Sequence, residues 1–77
     1  MIQNFGYAVP TSVSPGAKVE VMNGDAEAHT VTSDADGDFD VTAGAGATVT
    51  FTAPASPGSY AFHCTYHANM HGVLVVK

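Results

Sequence analysis

Nine residues, His63-Cys64-Thr65-Tyr66-His67-Ala68-Asn69-Met70-His71, hold the only cysteine of the chain, three of its four histidines and a methionine. Within them, Cys64, His67 and Met70 fall at three-residue steps, so the stretch reads CxxHxxM. A thiolate, an imidazole and a thioether offered in that order are a soft sulfur, a borderline nitrogen and a weak axial sulfur. With one further imidazole they match the His2Cys trigonal site with a long methionine bond that serves electron transfer at blue copper. His29 is the only histidine outside the cluster. Singly, each residue has a plainer reading: a buried thiol as a small hydrophobe, His29 as a satisfied half-buried ring, Met70 as a gap filler. It is their joint spacing that points to a metal. His63 and His71 read differently. Strand alternation turns His63 away from Cys64, and His71 lies outside the ligand stretch, so both are expected as solvated histidines or as members of a loose second metal site.

The rest of the chain must position these donors. At 77 residues the chain makes a single domain over 1–77, and a fold of this size buries only roughly 60% of its extended surface, so a bound metal would be a useful staple. A disulfide cannot serve, because Cys64 has no partner within the chain. Charged residues are 12% against about 25% in an average domain, and apolar residues reach 45%. The net charge of −5, with Lys18 and Lys77 as the only basic side chains besides histidine, argues against nucleic-acid binding, which needs basic patches. No apolar run within these residues approaches the roughly 20 of a membrane span, and none of them reads as a signal peptide.

Alternation and turn chemistry indicate strands throughout and no helix. Ile2 to Val9 reads as an edge strand interrupted near Gly6 and ended by Pro10. Ser14-Pro15-Gly16 is a turn, Ala17 to Met22 alternates with Val19 and Val21 inward, and Asn23-Gly24-Asp25 turns the chain again. From His29 to Ser33, His29 shares a face with Val31 while Thr30 and Thr32 take the other. Ser33 to Gly46 reads as a solvated acidic loop with Phe39 and Val41 tucked inward. Its aspartates at 34, 36, 38 and 40 suggest an EF-hand, but counting from Asp34 the sixth position is Phe39 instead of Gly and the twelfth Ala45 instead of Glu, so calcium is not expected. Thr48 to Ala53 alternates again, with Val49 and Phe51 inward. Tyr60, Phe62 and Cys64 share one face, and Val73 to Lys77 closes the fold after Gly72. Short strands at about ten-residue spacing indicate a small antiparallel sandwich. Strand ends from both sheets meet at one end of a sandwich, which lets His29 reach the loop near Cys64.

The chain resembles the cupredoxins, specifically the small plastocyanin, amicyanin and pseudoazurin type, nearly from end to end. The resemblance is carried by Asn4-Phe5 and Pro10, by Ser14-Pro15-Gly16-Ala17, and by Val21-Met22-Asn23-Gly24-Asp25 leading to His29-Thr30-Val31-Thr32. It continues through Pro57-Gly58-Ser59-Tyr60 and Cys64-Thr65-Tyr66-His67-Ala68-Asn69-Met70-His71-Gly72-Val73. It implies an all-β, small Greek-key β-sandwich holding one type 1 copper ion that cycles between Cu(II) and Cu(I), with His29, Cys64 and His67 as equatorial ligands and Met70 as the axial one. It also implies single-electron transfer rather than an enzymatic reaction, weak transient docking of redox partner proteins near His67 beside small residues such as Ala68, a monomer, and a periplasmic or extracellular location. The short ligand loop is most similar to that of amicyanin. Two features depart from the family: Thr30 stands where Asn often follows the first histidine, and Tyr66 and Ala68 flank His67 where proline is frequent. Copper delivery or storage, or a structural domain of a larger extracytoplasmic protein, is the alternative role.

Overall fold

A computed structural model describes residues 1–77 except Asp36 and the side chain of Ala68. Eight strands form in order: β1 (Ile2–Gln3), β2 (Gly6–Tyr7), β3 (Lys18–Met22), β4 (His29–Ser33), β5 (Asp40–Ala43), β6 (Thr48–Thr52), β7 (Gly58–Cys64) and β8 (His67–Val76). All strand pairs are antiparallel, and no helix occurs among the described residues. The all-β class expected from the alternation is what the chain adopts.

The β3–β6 ladder shows why. Val19 faces Phe51 and Val21 faces Val49 on one side, while Lys18 faces Thr52 and Glu20 faces Thr50 on the other. Apolar cross-strand pairs thus line one face and polar pairs the other, which pins the register, since a slip of one residue would put the valines in water. Opposite stands a four-stranded sheet in the order β5-β4-β7-β8. Val31, Phe62, Leu74 and Val76 from this sheet join Val21 and Ile2 in one buried core, with Phe39 stacked on Phe51 at 4.9 Å between ring centroids.

Three expectations need correction. The segment Ile2 to Val9 is a tight hairpin, β1 paired with β2, and not one interrupted edge strand. The chain reverses at Asn4 and Phe5, both left-handed at φ 53° and 58°. Asparagine tolerates that region, but phenylalanine does so only under outside constraint. The constraint is Asp25, whose carboxylate accepts the N–H of Asn4 at 2.8 Å and of Phe5 at 2.9 Å. The second correction concerns Ser33 to Gly46. Phe39 is buried and Val41 half-buried as expected, yet Asp40–Ala43 forms β5, because β4 offers a full ladder from His29↔Ala43 to Thr32↔Asp40. Of the aspartates in that segment, Asp36 lies outside the described residues.

The third correction concerns the ligand stretch itself. It is a hairpin rather than a loop followed by a separate closing strand, and β8 runs unbroken from His67 through Gly72 to Val76. Gly72 permits this: a Cβ there would stand 2.4 Å from Cζ of Phe62, whose ring covers the glycine from across the ladder.

Candidate metal centre

The geometry of the centre follows from a register change between β7 and β8. His63 pairs with His71, but the next residue, Cys64, pairs with His67. Residues 68–70 are therefore an excess in β8 that the opposite strand does not match, and Thr65-Tyr66 make the turn. Bulges of this kind re-aim side chains beside functional sites. Here the irregularity brings His67 round to the sulfur of Cys64, with His67 Nδ1 at 3.5 Å from Sγ. His29, the first residue of β4, brings its Nδ1 to 3.9 Å from the same sulfur across 35 residues of chain.

His29, Cys64 and His67 form a group whose ligand atoms all lie within 4.8 Å of one another. An ion at the usual bond lengths of about 2.3 Å to sulfur and 2.0–2.1 Å to nitrogen, in a trigonal plane, needs sulfur–nitrogen separations of about 3.8 Å. The two observed separations straddle that value. His29 is fully buried and Cys64 is 3% exposed, whereas the His67 side chain is 27% exposed. Met70, expected with these three, is buried on β8 three residues past His67.

Both imidazoles are oriented from behind. His29 Nε2 lies 2.9 Å from an Asp25 carboxylate oxygen, and His67 Nε2 lies 3.3 Å from one of Glu27. A carboxylate only accepts, so each Nε2 carries a proton, and each Nδ1 is the ring nitrogen turned to the sulfur. This is the carboxylate–histidine arrangement that fixes tautomer and ring angle at metal sites. The loop supplying both carboxylates is anchored by the buried Asn23. Its amide donates to the carbonyls of Glu27, Ala43 and Gly44, and its side-chain oxygen accepts the N–H of Asp25. Phe5, held by Asp25, sets its ring edge-on to both histidines, with centroids 5.0 Å from His29 and 4.8 Å from His67.

Thr30 follows the first histidine directly, and its hydroxyl ties the two ligand segments together. Its Oγ accepts the N–H of Thr65 at 2.9 Å, and its own N–H points at Cys64 Sγ at 3.4 Å. The Thr30 and Thr32 hydroxyls are 3.0 Å apart, and that of Thr32 donates to Asp40 at 2.9 Å. The Thr30 carbonyl accepts the Tyr7 hydroxyl at 2.6 Å. Burial, then the neighbouring Cys64 charge, drives the Tyr7 phenol well above its ordinary range, so it remains a donor at any physiological pH.

The electrostatics favour a thiolate. Burial acts to raise the Cys64 thiol, but the Thr30 N–H, the His67 and His29 rings and the Tyr66 N–H outweigh it and bring the pKa down to about 6. The His67 imidazole is raised, chiefly by its hydrogen bond to Cys64, against burial and with help from the thiolate and Glu27. Asp25 is held below the usual carboxylate range, first by the Phe5 N–H, against burial, then by Asn4 and His29. A thiolate beside two imidazole Nδ1 atoms, which become nitrogen donors once any proton facing the sulfur is released, suits a borderline or soft ion.

A family model described as a cupredoxin-like domain matches residues 9–76. The chain belongs to the cupredoxin-like family. Among solved structures, this cupredoxin is similar to a reduced Cu(I) form, at pH 4, of a proline-to-glycine variant of amicyanin, with TM-score 0.81 and 28% identity over 99% of this chain and 77% of that one. It is likewise similar to a reduced tryptophan-to-tyrosine variant of amicyanin (TM-score 0.81, 27% identity, 99% of this chain and 77% of that one). An oxidised methionine-to-leucine variant aligns at TM-score 0.80 and 26% identity over the same shares. Among curated proteins no match is found.

Residue type and spacing point to His29, Cys64, His67 and Met70 but not to the supporting Asp25, Glu27, Phe5 and Tyr7. One signal for the acids was available: Asp25 and Glu27 stand four and two residues before His29, in the turn that delivers it.

Proposed function

We propose that this cupredoxin is a mononuclear type 1 copper protein that carries single electrons between redox partners, with residues 1–77 as one domain. We assign His29, Cys64 and His67 as the equatorial ligands and Met70 as the axial one. Bound copper supplies one-electron exchange between Cu(II) and Cu(I). The observation that carries this reading is the thiol of Cys64 between two imidazole Nδ1 atoms at 3.5 and 3.9 Å, each ring backed by a carboxylate.

The chain's own part is to hold the donors still. His29 is fully buried and pinned by Asp25, and the Cys64–His67 hairpin is tied to β4 by Thr30. A donor set that cannot relax serves both oxidation states with little movement, which suits electron exchange better than release of the ion. Electrons enter and leave at His67, the exposed member of the set, beside exposed Phe5 and Tyr66. The apolar partner expected at Ala68 lies outside the described residues. A patch of this kind fits the weak, short-lived interfaces of redox proteins, below about 1,200 Å² of buried surface. The charge of −5 favours partners that present basic or neutral surfaces. A periplasmic or extracellular location completes the proposal, on family resemblance.

Voltammetry of the copper-loaded protein tests this role. A single reversible one-electron wave is expected, with copper retained against a competing chelator. Rapid loss of copper to the chelator without a reversible wave would assign the protein to copper delivery or storage instead.

A further inference from the structure

One row of directly opposed residues crosses the four-stranded sheet: Asp40 on β5, Thr32 on β4, His63 on β7 and His71 on β8. Directly opposed residues project from the same face of a sheet, as the Thr32 hydroxyl bound to Asp40 at 2.9 Å shows for that pair. His63 and His71 therefore emerge side by side on the face turned away from the buried Cys64. Opposed residues in an antiparallel pair hold their Cβ atoms about 4.5–5.5 Å apart. From that spacing two imidazoles can reach one ion at nitrogen–metal distances of about 2.0–2.1 Å.

A second observation gives the row a direction. Asp34, beyond the end of β4, places Oδ1 2.6 Å from His63 Nδ1. The carboxylate only accepts, so Nδ1 carries a proton and Nε2 is the ring nitrogen left to meet an ion. A carboxylate behind a histidine in this manner orients the ring and raises its basicity as a ligand. The His63 and Asp34 side chains are 34% and 52% exposed, and His71 is exposed, so an ion reaches them without any opening of the fold. Exposed Asp40 and the net charge of −5 raise the local concentration of cations.

We propose that His63 Nε2 and His71 form a second, surface metal site for a divalent imidazole-preferring ion, Zn(II) or Cu(II), with Asp34 as the residue that positions His63. Rotation of the exposed His71 side chain closes it, and water completes the coordination. Neither histidine belongs to the cluster of His29, Cys64 and His67, so the site is independent of the function proposed above.

The test is a calorimetric titration of the copper-loaded protein with Zn(II), following the visible absorption throughout. One further equivalent of zinc binds while the colour stays unchanged. His71→Ala and His63→Ala each weaken that binding about 10-fold or more, and Asp34→Asn weakens it within the 10- to 100-fold range of outer-shell losses. Cys64→Ser, which lacks the thiolate, retains the same equivalent of zinc whether or not the first cluster ever held copper. Equal binding by wild type and His71→Ala overturns the proposal, as does loss of colour in proportion to zinc bound, which would place the zinc at the first cluster.

Discussion

Replacing Thr30 by valine isolates the tie between the two ligand segments, because valine keeps the shape and removes only the hydroxyl. Thr30 is 3% exposed, and its Oγ accepts the Thr65 N–H at 2.9 Å and shares a hydrogen bond with Thr32 at 3.0 Å. Stranding a partly buried donor costs about 1–3 kcal/mol, and the second hydrogen bond contributes about 0.5–1.5 kcal/mol. Because Thr32 keeps Asp40 as a partner, the lower part of that combined range applies, about 2 kcal/mol. For a domain of this length that lowers Tm by about 8–16 °C. Thermal unfolding of the metal-free protein, followed by circular dichroism, reads the shift directly. Thr30→Ser, which keeps the hydroxyl, recovers most of it. If Thr30→Val melts within about 0.5 kcal/mol of wild type, the range of a neutral surface change, or if serine fares as badly as valine, the hydroxyl is not what joins β4 to the hairpin.

Gly72→Ala places a Cβ 2.4 Å from the Phe62 ring, and overpacking of this kind costs about 1–3 kcal/mol, visible as a lower urea midpoint with an unchanged m-value. Asp25→Ala frees His29 Nε2 together with the N–H groups of Asn4 and Phe5, so copper affinity in a chelator competition falls about 10- to 100-fold; unchanged affinity would show that the carboxylate does not support the ligand. In the metal-free protein the Cys64 thiol titrates at about 6, below the roughly 8.5 of an unperturbed thiol, which thiolate absorbance across a pH series measures. Since the folded value is the depressed one, the stability this group contributes is absent below about 6, grows as the pH rises and is complete above roughly 8.5. The stability difference between wild type and Cys64→Ala therefore widens with pH over that window, and a flat difference would contradict the depressed value.

The parts of the site visible in the sequence were those with a local signature. Cys64 and His67 announce themselves by spacing, and His29 by being the remaining histidine on an inward-facing strand position; the same spacing is what proposes Met70. Asp25 and Glu27 left only a faint trace, since their role depends on how the 23–28 turn folds back over two rings, a product of the buried Asn23 amide. The hairpin at Asn4-Phe5 was hidden for a related reason: a phenylalanine at positive φ is disfavoured locally and exists because a distant carboxylate holds it. Strand β5 was hidden by composition, its glycine- and aspartate-rich surroundings outweighing Val41 until β4 supplied a partner. The sandwich itself was legible because Val19 and Val21 on β3, Val31 on β4, and Val49 and Phe51 on β6 alternate with polar residues and share one consistent inward face.

The most direct test of the copper reading is the combined optical and paramagnetic resonance spectrum of the protein reconstituted with Cu(II). The account predicts an intense blue thiolate-to-copper band with the compressed hyperfine splitting of a type 1 centre, both lost in Cys64→Ser and kept in His63→Ala. A colourless Cu(II) protein with an ordinary tetragonal signal would contradict it.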